Sequence, residues 1–189
     1  ESHHWGPGAR SLFLDRHMAP APGLRMWVDA GLVQYAHVVI RTRHTLPGLD
    51  SAEAGWMAAH QAEVALGGGF SGAVFGAVKW RARDLAVERR LETHYLIPFV
   101  AFRPMEYALG SPDNALAGAQ LTWRGRTRRN HAITSYTQVM FDEFHWKNLS
   151  ENPHWWANKW GVLAGTQWNS KSGKFGWLVE GAAVRPWTY

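Results

Sequence analysis

The stretch Phe141-Asp142-Glu143-Phe144-His145-Trp146-Lys147, followed by Asn152-Pro153-His154-Trp155-Trp156-Ala157-Asn158-Lys159-Trp160, interleaves carboxylates, amides and lysines with four Trp. Sugars present apolar C–H faces and hydroxyl edges, so flat rings beside Asp, Asn and Lys suit glycan contact. The same residues also suit closing a loop and anchoring it at a lipid boundary. A second cluster, Arg124, Arg126, Arg128 and Arg129, falls between two alternating segments, where a turn belongs. It reads either as an anion-attracting loop for phosphate or acidic sugars or as solvated turn charge.

Catalytic and metal chemistry are less well specified. Ser11 or Ser135 as nucleophile, His131 or His145 as base and Asp142 or Glu143 as orienting carboxylate would make a hydrolase set. No Gly-x-Ser-x-Gly elbow accompanies them, so the catalytic assignment is none. His3 and His4 are adjacent, so they cannot share a face of a regular element, and His60 with Glu63 or His145 with His154 would meet only through folding. No metal site and no cofactor is expected. Gly67-Gly68-Gly69 lacks the Lys-Ser/Thr ending of a phosphate-cradling loop and reads as a turn.

Composition narrows the classes. The 189 residues carry 20 Lys+Arg against 15 Asp+Glu, a net charge of +5, and suffice for one domain with a real core. With 46% apolar and 19% charged residues, intrinsic disorder is excluded. The count of 0 Cys removes disulfides, thiolate nucleophiles and Cys-based zinc sites. The positive charges are scattered, and no nucleic-acid-binding signature accompanies them, so no nucleic-acid partner is expected. The abnormal number is 12 Trp, more than the 8 Phe or 5 Tyr. No run of about 18 apolar residues occurs, which rules out a transmembrane helix but not a barrel of alternating strands.

The elements that must position these residues are strands. Period-two alternation recurs over 115–124, 131–142, 158–169 and 174–185, and more weakly over 24–30, 33–43, 56–66 and 70–81. These segments run to about ten residues, the length a tilted strand needs to cross a bilayer. Trp160 and Trp168 share one side of their segment and stand about 25 Å apart along it, close to the height of the apolar band on a membrane barrel. Trp80, Trp123 and Trp187 also fall near segment ends. Gln120, Gln138, Gln167 and Glu180 are candidates to face a lumen. The segment 84–94 is the best helical candidate and equally an alternating strand edge. Asn169-Ser170-Lys171-Ser172-Gly173 predicts a turn that makes the last two strands an antiparallel hairpin. The stretches 82–114 and 143–158 predict long loops.

Several stretches carry a family resemblance in chain order. They are Trp5-Gly6-Pro7-Gly8 with Ser11-Leu12-Phe13-Leu14-Asp15 and Ala19-Pro20-Ala21-Pro22-Gly23-Leu24, then Gly110-Ser111-Pro112-Asp113-Asn114-Ala115-Leu116. Phe141-Asp142-Glu143-Phe144, Trp156-Ala157-Asn158-Lys159-Trp160-Gly161 and Arg185-Pro186-Trp187-Thr188-Tyr189 follow. Together they resemble the capsule assembly protein Wzi family, in its Bacteroidetes-like version. The resemblance implies an outer-membrane β-barrel that helps attach or organise capsular or exported polysaccharide, without catalysis. Family members are longer and have more strands, so the expectation is a partial chain, incomplete at both ends.

The resulting expectation is an all-β fold: an antiparallel transmembrane β-barrel, or part of one, with long loops, in a single domain over 1–189. Its partners would be membrane lipid, surface polysaccharide and other envelope proteins, and its location the cell outer membrane. Arg10, Asp113, Asn114, Asp142, Glu143, Trp155 and Trp156 are the candidate glycan-binding residues. The alternatives are a barrel esterase or lipid deacylase and a structural subunit of a larger envelope assembly.

Overall fold

Alternating apolar and polar side chains give a strand one face for each environment, and eight segments of this chain fold that way into one antiparallel sheet. The computed structural model describes residues 6–14, 21–45, 52–81, 83–84, 87–88, 92–99, 101–109, 113–142, 151–152 and 158–186. The chain runs through β1 (Gly23–Asp29), β2 (Val33–Thr45), β3 (Ala52–Gly67) and β4 (Phe70–Arg81). Next come a two-residue pair, β5 (Arg83–Asp84) and β6 (Val87–Glu88), a 3-10 turn (Thr93–Leu96) and one helix, α1 (Phe102–Leu109). The strands β7 (Asn114–Arg126), β8 (Ala132–Asp142), β9 (Trp160–Asn169) and β10 (Gly176–Val184) complete the sheet.

The sheet order is β1-β2-β3-β4-β7-β8-β9-β10, a meander in which β7 follows β4 and the β5–β6 pair forms a separate sheet. All eight strands coincide with the alternating segments. β2, β3, β4, β7 and β8 run 11 to 16 residues, roughly twice the five or six usual in soluble sheets. The sheet is open: β1 and β10 do not pair with each other. Among the described residues, no helix is long and apolar enough to cross a membrane, a fact with no bearing on strands.

Turn chemistry sets the register. Gly67, Gly68 and Gly69 all have positive φ, a left-handed run that glycine adopts without steric cost, and it reverses the chain between β3 and β4. Gly69 also lets β7 close in: its carbonyl accepts from the Arg124 N–H at 2.8 Å, and a Cβ at Gly69 would lie 2.1 Å from the Arg124 oxygen. Between β7 and β8, Asn130 takes the left-handed conformation at φ 63, and the Thr127 Oγ1 accepts from the His131 N–H at 3.1 Å. The expected hairpin turn closes β9 onto β10, with Ser170 N–H donating to the Phe175 carbonyl at 2.8 Å.

For 84–94, expected as either a helix or an alternating strand edge, no α-helix forms among the described residues. They hold the short β5–β6 pair and the start of the 3-10 turn, and the helix forms later, over Phe102–Leu109. Charge spacing suggested the earlier site. What holds the later one is packing: Phe102 is buried against the sheet, and the Met105 N–H reaches the Ala101 carbonyl at 3.3 Å. Pro104 falls in the first turn, where an intrahelical donor is not required.

Candidate functional site

The register sorts the sheet into two faces, one with uncharged central rows and the other holding a glutamine chain together with two apolar clusters, around Val38 and Ile40 and around Met140 and Leu163. One transverse row reads Val28, Tyr35, Ala62, Val74, Ala119, Val139, Val162 and Ala183 across the eight strands. The neighbouring row, one residue along each chain and on the other face, reads Asp29, Gln34, Glu63, Ala73, Gln120, Gln138 and Leu163. A one-residue shift of register would exchange these sets, so the contrast is fixed by strand pairing.

The apolar face ends in aromatic rings. Phe70 pairs with Trp123 and Trp168 with Trp177 at one end; Trp56 pairs with Trp80, and Trp160 with Phe141, at the other. Between these ends, no Asp, Glu, Lys or Arg stands on this face among the described residues. Much of it is open: Val74 is 62% and Val179 67% exposed. Its lower part is covered by the 3-10 turn and α1, where Tyr95 and Phe102 bury against Val39, Ala58, Val78, Trp80 and Ala115. Trp80 thereby departs from a boundary role, since it is fully buried beneath Tyr95 with ring centroids 5.0 Å apart. Trp187 lies outside the described residues.

The polar face carries its own cover, the segment 6–14. Leu12, Phe13 and Leu14 pack on it, Phe13 stacking on Phe75 at 4.6 Å. Polar groups beneath are joined in a chain. The Leu12 N–H donates to Gln138 Oε1 at 2.9 Å, and Gln138 Nε2 donates to Gln120 Oε1 at 2.6 Å and to Ser11 Oγ at 3.4 Å. Gln120 Nε2 donates in turn to Thr122 Oγ1 at 3.1 Å, and the Tyr136 hydroxyl donates to Glu180. All four residues expected to face a lumen, Gln120, Gln138, Gln167 and Glu180, stand on this face.

Of the seven candidate glycan residues, four are described, and the fold separates them. Arg10 is exposed on the 6–14 segment. Asn114 and Asp142 stand on the polar face at the same end of adjacent strands. Asp142 is fully buried, its carboxylate 4.0 Å from Lys159 Nζ and its N–H donating to the Lys159 carbonyl at 3.0 Å. Asp113 lies on the opposite face, buried, and accepts from the Tyr95 hydroxyl at 3.0 Å. These two carboxylates tie strand ends to the segments above them and present little surface to a ligand. Glu143, Trp155 and Trp156 lie outside the described residues.

The basic cluster is split between strand and turn. Arg124 donates to Ser71 Oγ at 3.2 Å and stands 3.7 Å from Glu63, Arg126 donates to Asn130 at 3.1 Å, and Arg128 and Arg129 are exposed in the turn. The described hydrolase candidates have other partners. Ser11 Oγ accepts from the Phe13 N–H at 3.1 Å, Ser135 pairs with Thr166 at 3.1 Å, and His131 Nδ1 accepts from the Lys171 N–H at 3.1 Å. His145 lies outside the described residues. Among the described residues, no group of three or more His, Asp or Glu could hold a metal ion.

Two features escaped the sequence reading. His37 and His60 face each other in register with ring centroids 6.4 Å apart, and Phe102 stacks on His60 at 4.3 Å. Pairing of β2 with β3 makes that contact, and the separate segments carry no mark of it. The cover over the apolar face was equally hidden, because 93–102 is aromatic without a period. Compared with family models, curated proteins and solved structures, the chain matches none.

Proposed function

We propose that this chain is a strand-built part of an outer-membrane β-barrel that holds capsular or other exported polysaccharide at the cell surface by binding, without turnover. The observation that carries the reading is the apolar face: uncharged rows bounded by Phe70, Trp123, Trp168 and Trp177 at one end and by Trp56, Phe141 and Trp160 at the other, on strands long enough to cross a bilayer. The face under the 6–14 segment holds two buried apolar clusters beside the glutamine chain, whereas the other face leaves Val74, Leu121, Val162 and Val179 exposed.

In lipid, the outer edges of β1 and β10 require partners, because unpaired backbone groups there cost several kcal/mol each. Those partners are each other or strands of a neighbouring envelope protein. The ligand class comes from the resemblance to the capsule assembly family and from the aromatic–polar composition of 143–157. Arg10, Asn114 and Glu143 would supply hydrogen bonds, and Trp155 and Trp156 stacking surfaces. Asp113 and Asp142 would hold the strand ends beneath the loops.

The test is retention of labelled surface polysaccharide by cells carrying Trp155→Ala with Trp156→Ala. Retention should fall while the protein reaches the membrane in the same amount. Unchanged retention contradicts the glycan assignment.

A further inference from the structure

A slot of about 670 Å³ lies between the apolar face and the segment that crosses it, within the size range of small-molecule sites, about 300–1,000 Å³. Its floor is Val33 on β2, Ala62 on β3, Val74 and Gly76 on β4 and Ala117 on β7. Its roof is Phe99, Phe102 and Pro104. Among the described residues, no Asp, Glu, Lys or Arg lines it. Four adjacent strands span about 14 Å, so the slot is elongated, with small side chains on the β3, β4 and β7 part of its floor.

The roof is pinned at two points. Phe102 stacks on His60 at 4.3 Å with an interplanar angle of 13°. Phe99 packs on Tyr35 at 4.2 Å, and its N–H donates to the Tyr35 hydroxyl at 2.9 Å. Phe99 holds φ 67, a left-handed conformation that a bulky side chain rarely adopts. Such an outlier persists only where the surroundings impose it. Here it leaves the ring 71% exposed at the slot's mouth. Val33 and Val74 of its lining are exposed on the same face, beside the exposed Val64.

We propose that this slot binds one acyl chain of a bilayer phospholipid. A cavity without charge that runs across four strands, its polar side chains limited to Tyr35 and His60, fits a linear apolar chain, while a charged ligand would lose its hydration there with little compensation. Continuity with the open apolar rows gives the chain its route in, and the headgroup stays outside. The proposal rests on the reading of this face as lipid-facing.

The full chain is reconstituted in phosphatidylcholine vesicles containing a trace of phosphatidylcholine with a diazirine on its acyl chain. Photolysis is followed by peptide mass spectrometry, with vesicle flotation of the same samples. Label should concentrate on the peptides holding Ala62, Val74 and Ala117, and Ala117→Trp should abolish it there while label at Val179 persists. Val74→Trp, at the exposed mouth, repeats the block if Ala117→Trp does not fold. Floating protein labelled evenly over the apolar rows, unchanged by either variant, overturns the slot and leaves the membrane reading standing. Protein that does not float with the vesicles overturns both.

Discussion

Gln138 shows what a single side chain contributes here. It is buried on the polar face and joins three elements, accepting from the Leu12 N–H and donating to Gln120 and Ser11. Replacing it with Leu strands the Leu12 donor and the Gln120 acceptor, at a cost of about 1–3 kcal/mol for each buried group left unsatisfied. Gln138→Leu should therefore loosen the 6–14 segment before it loosens the sheet. Tryptic cleavage after Arg10, which is exposed, should accelerate while the strands stay intact. An unchanged cleavage rate would mean that Leu12 and Leu14 hold the segment without help. The face of Gln138 was legible in the sequence, since alternation placed it with Gln120, Gln167 and Glu180 as candidate inward groups. The hydrogen bond to the 6–14 segment was not, because it joins residues 126 positions apart. Asp113 and Asp142 were expected from residue type to contact a ligand, and the fold adds what the sequence could not show, a partner for each within the chain, Tyr95 and Lys159.

At the scale of the element, β9 carries both environments on ten residues. Trp160, Val162, Ala164, Thr166 and Trp168 stand on the apolar side, and Gly161, Leu163, Gly165 and Gln167 on the other. Gly165 is small because the Tyr136 ring crosses it: a Cβ there would come within 2.4 Å of the hydroxyl. Ala164 lies midway between the two Trp, so Ala164→Arg should cost about 2–4 kcal/mol in a bilayer, as a charge at mid-depth does on a lipid-facing strand. Gln167→Arg, on the polar side, should cost far less. Unfolding of both variants in vesicles compares them directly, and equal costs would contradict the assignment of faces. The eight strands were legible because alternation is a local property with a period of two. The segment 93–109 was not: its aromatic residues show no period, and their burial against β2, β3 and β4 decides their structure.

For the whole molecule, the open edges are the consequential feature. β1 and β10 each pair on one side only, and most of their residues are exposed. An unpaired edge is a liability in water and untenable in lipid. In vesicles, the backbone amides of β1 and β10 should therefore exchange as slowly as those of β3 and β4, with the closing partner supplied by the sheet itself or by a neighbour. Fast exchange at both edges alongside protection of the centre would contradict embedding. The sequence carried the all-β architecture and the strand count through alternation, with Gly67-Gly68-Gly69 and 169–173 marking two of the turns. It did not carry closure, because edge pairing depends on contacts between segments far apart in the chain.

The central claim is that lipid tails touch the apolar face. Nitroxide labels placed one at a time along β9, on a chain with 0 native Cys, measure this through collision with oxygen, which concentrates in the bilayer, and with a water-soluble nickel chelate. Oxygen contact should rise at 162, 164 and 166 and fall at 161, 163, 165 and 167, with a period of two and a maximum near 164. A flat profile, or nickel contact peaking at the even positions, would contradict the claim.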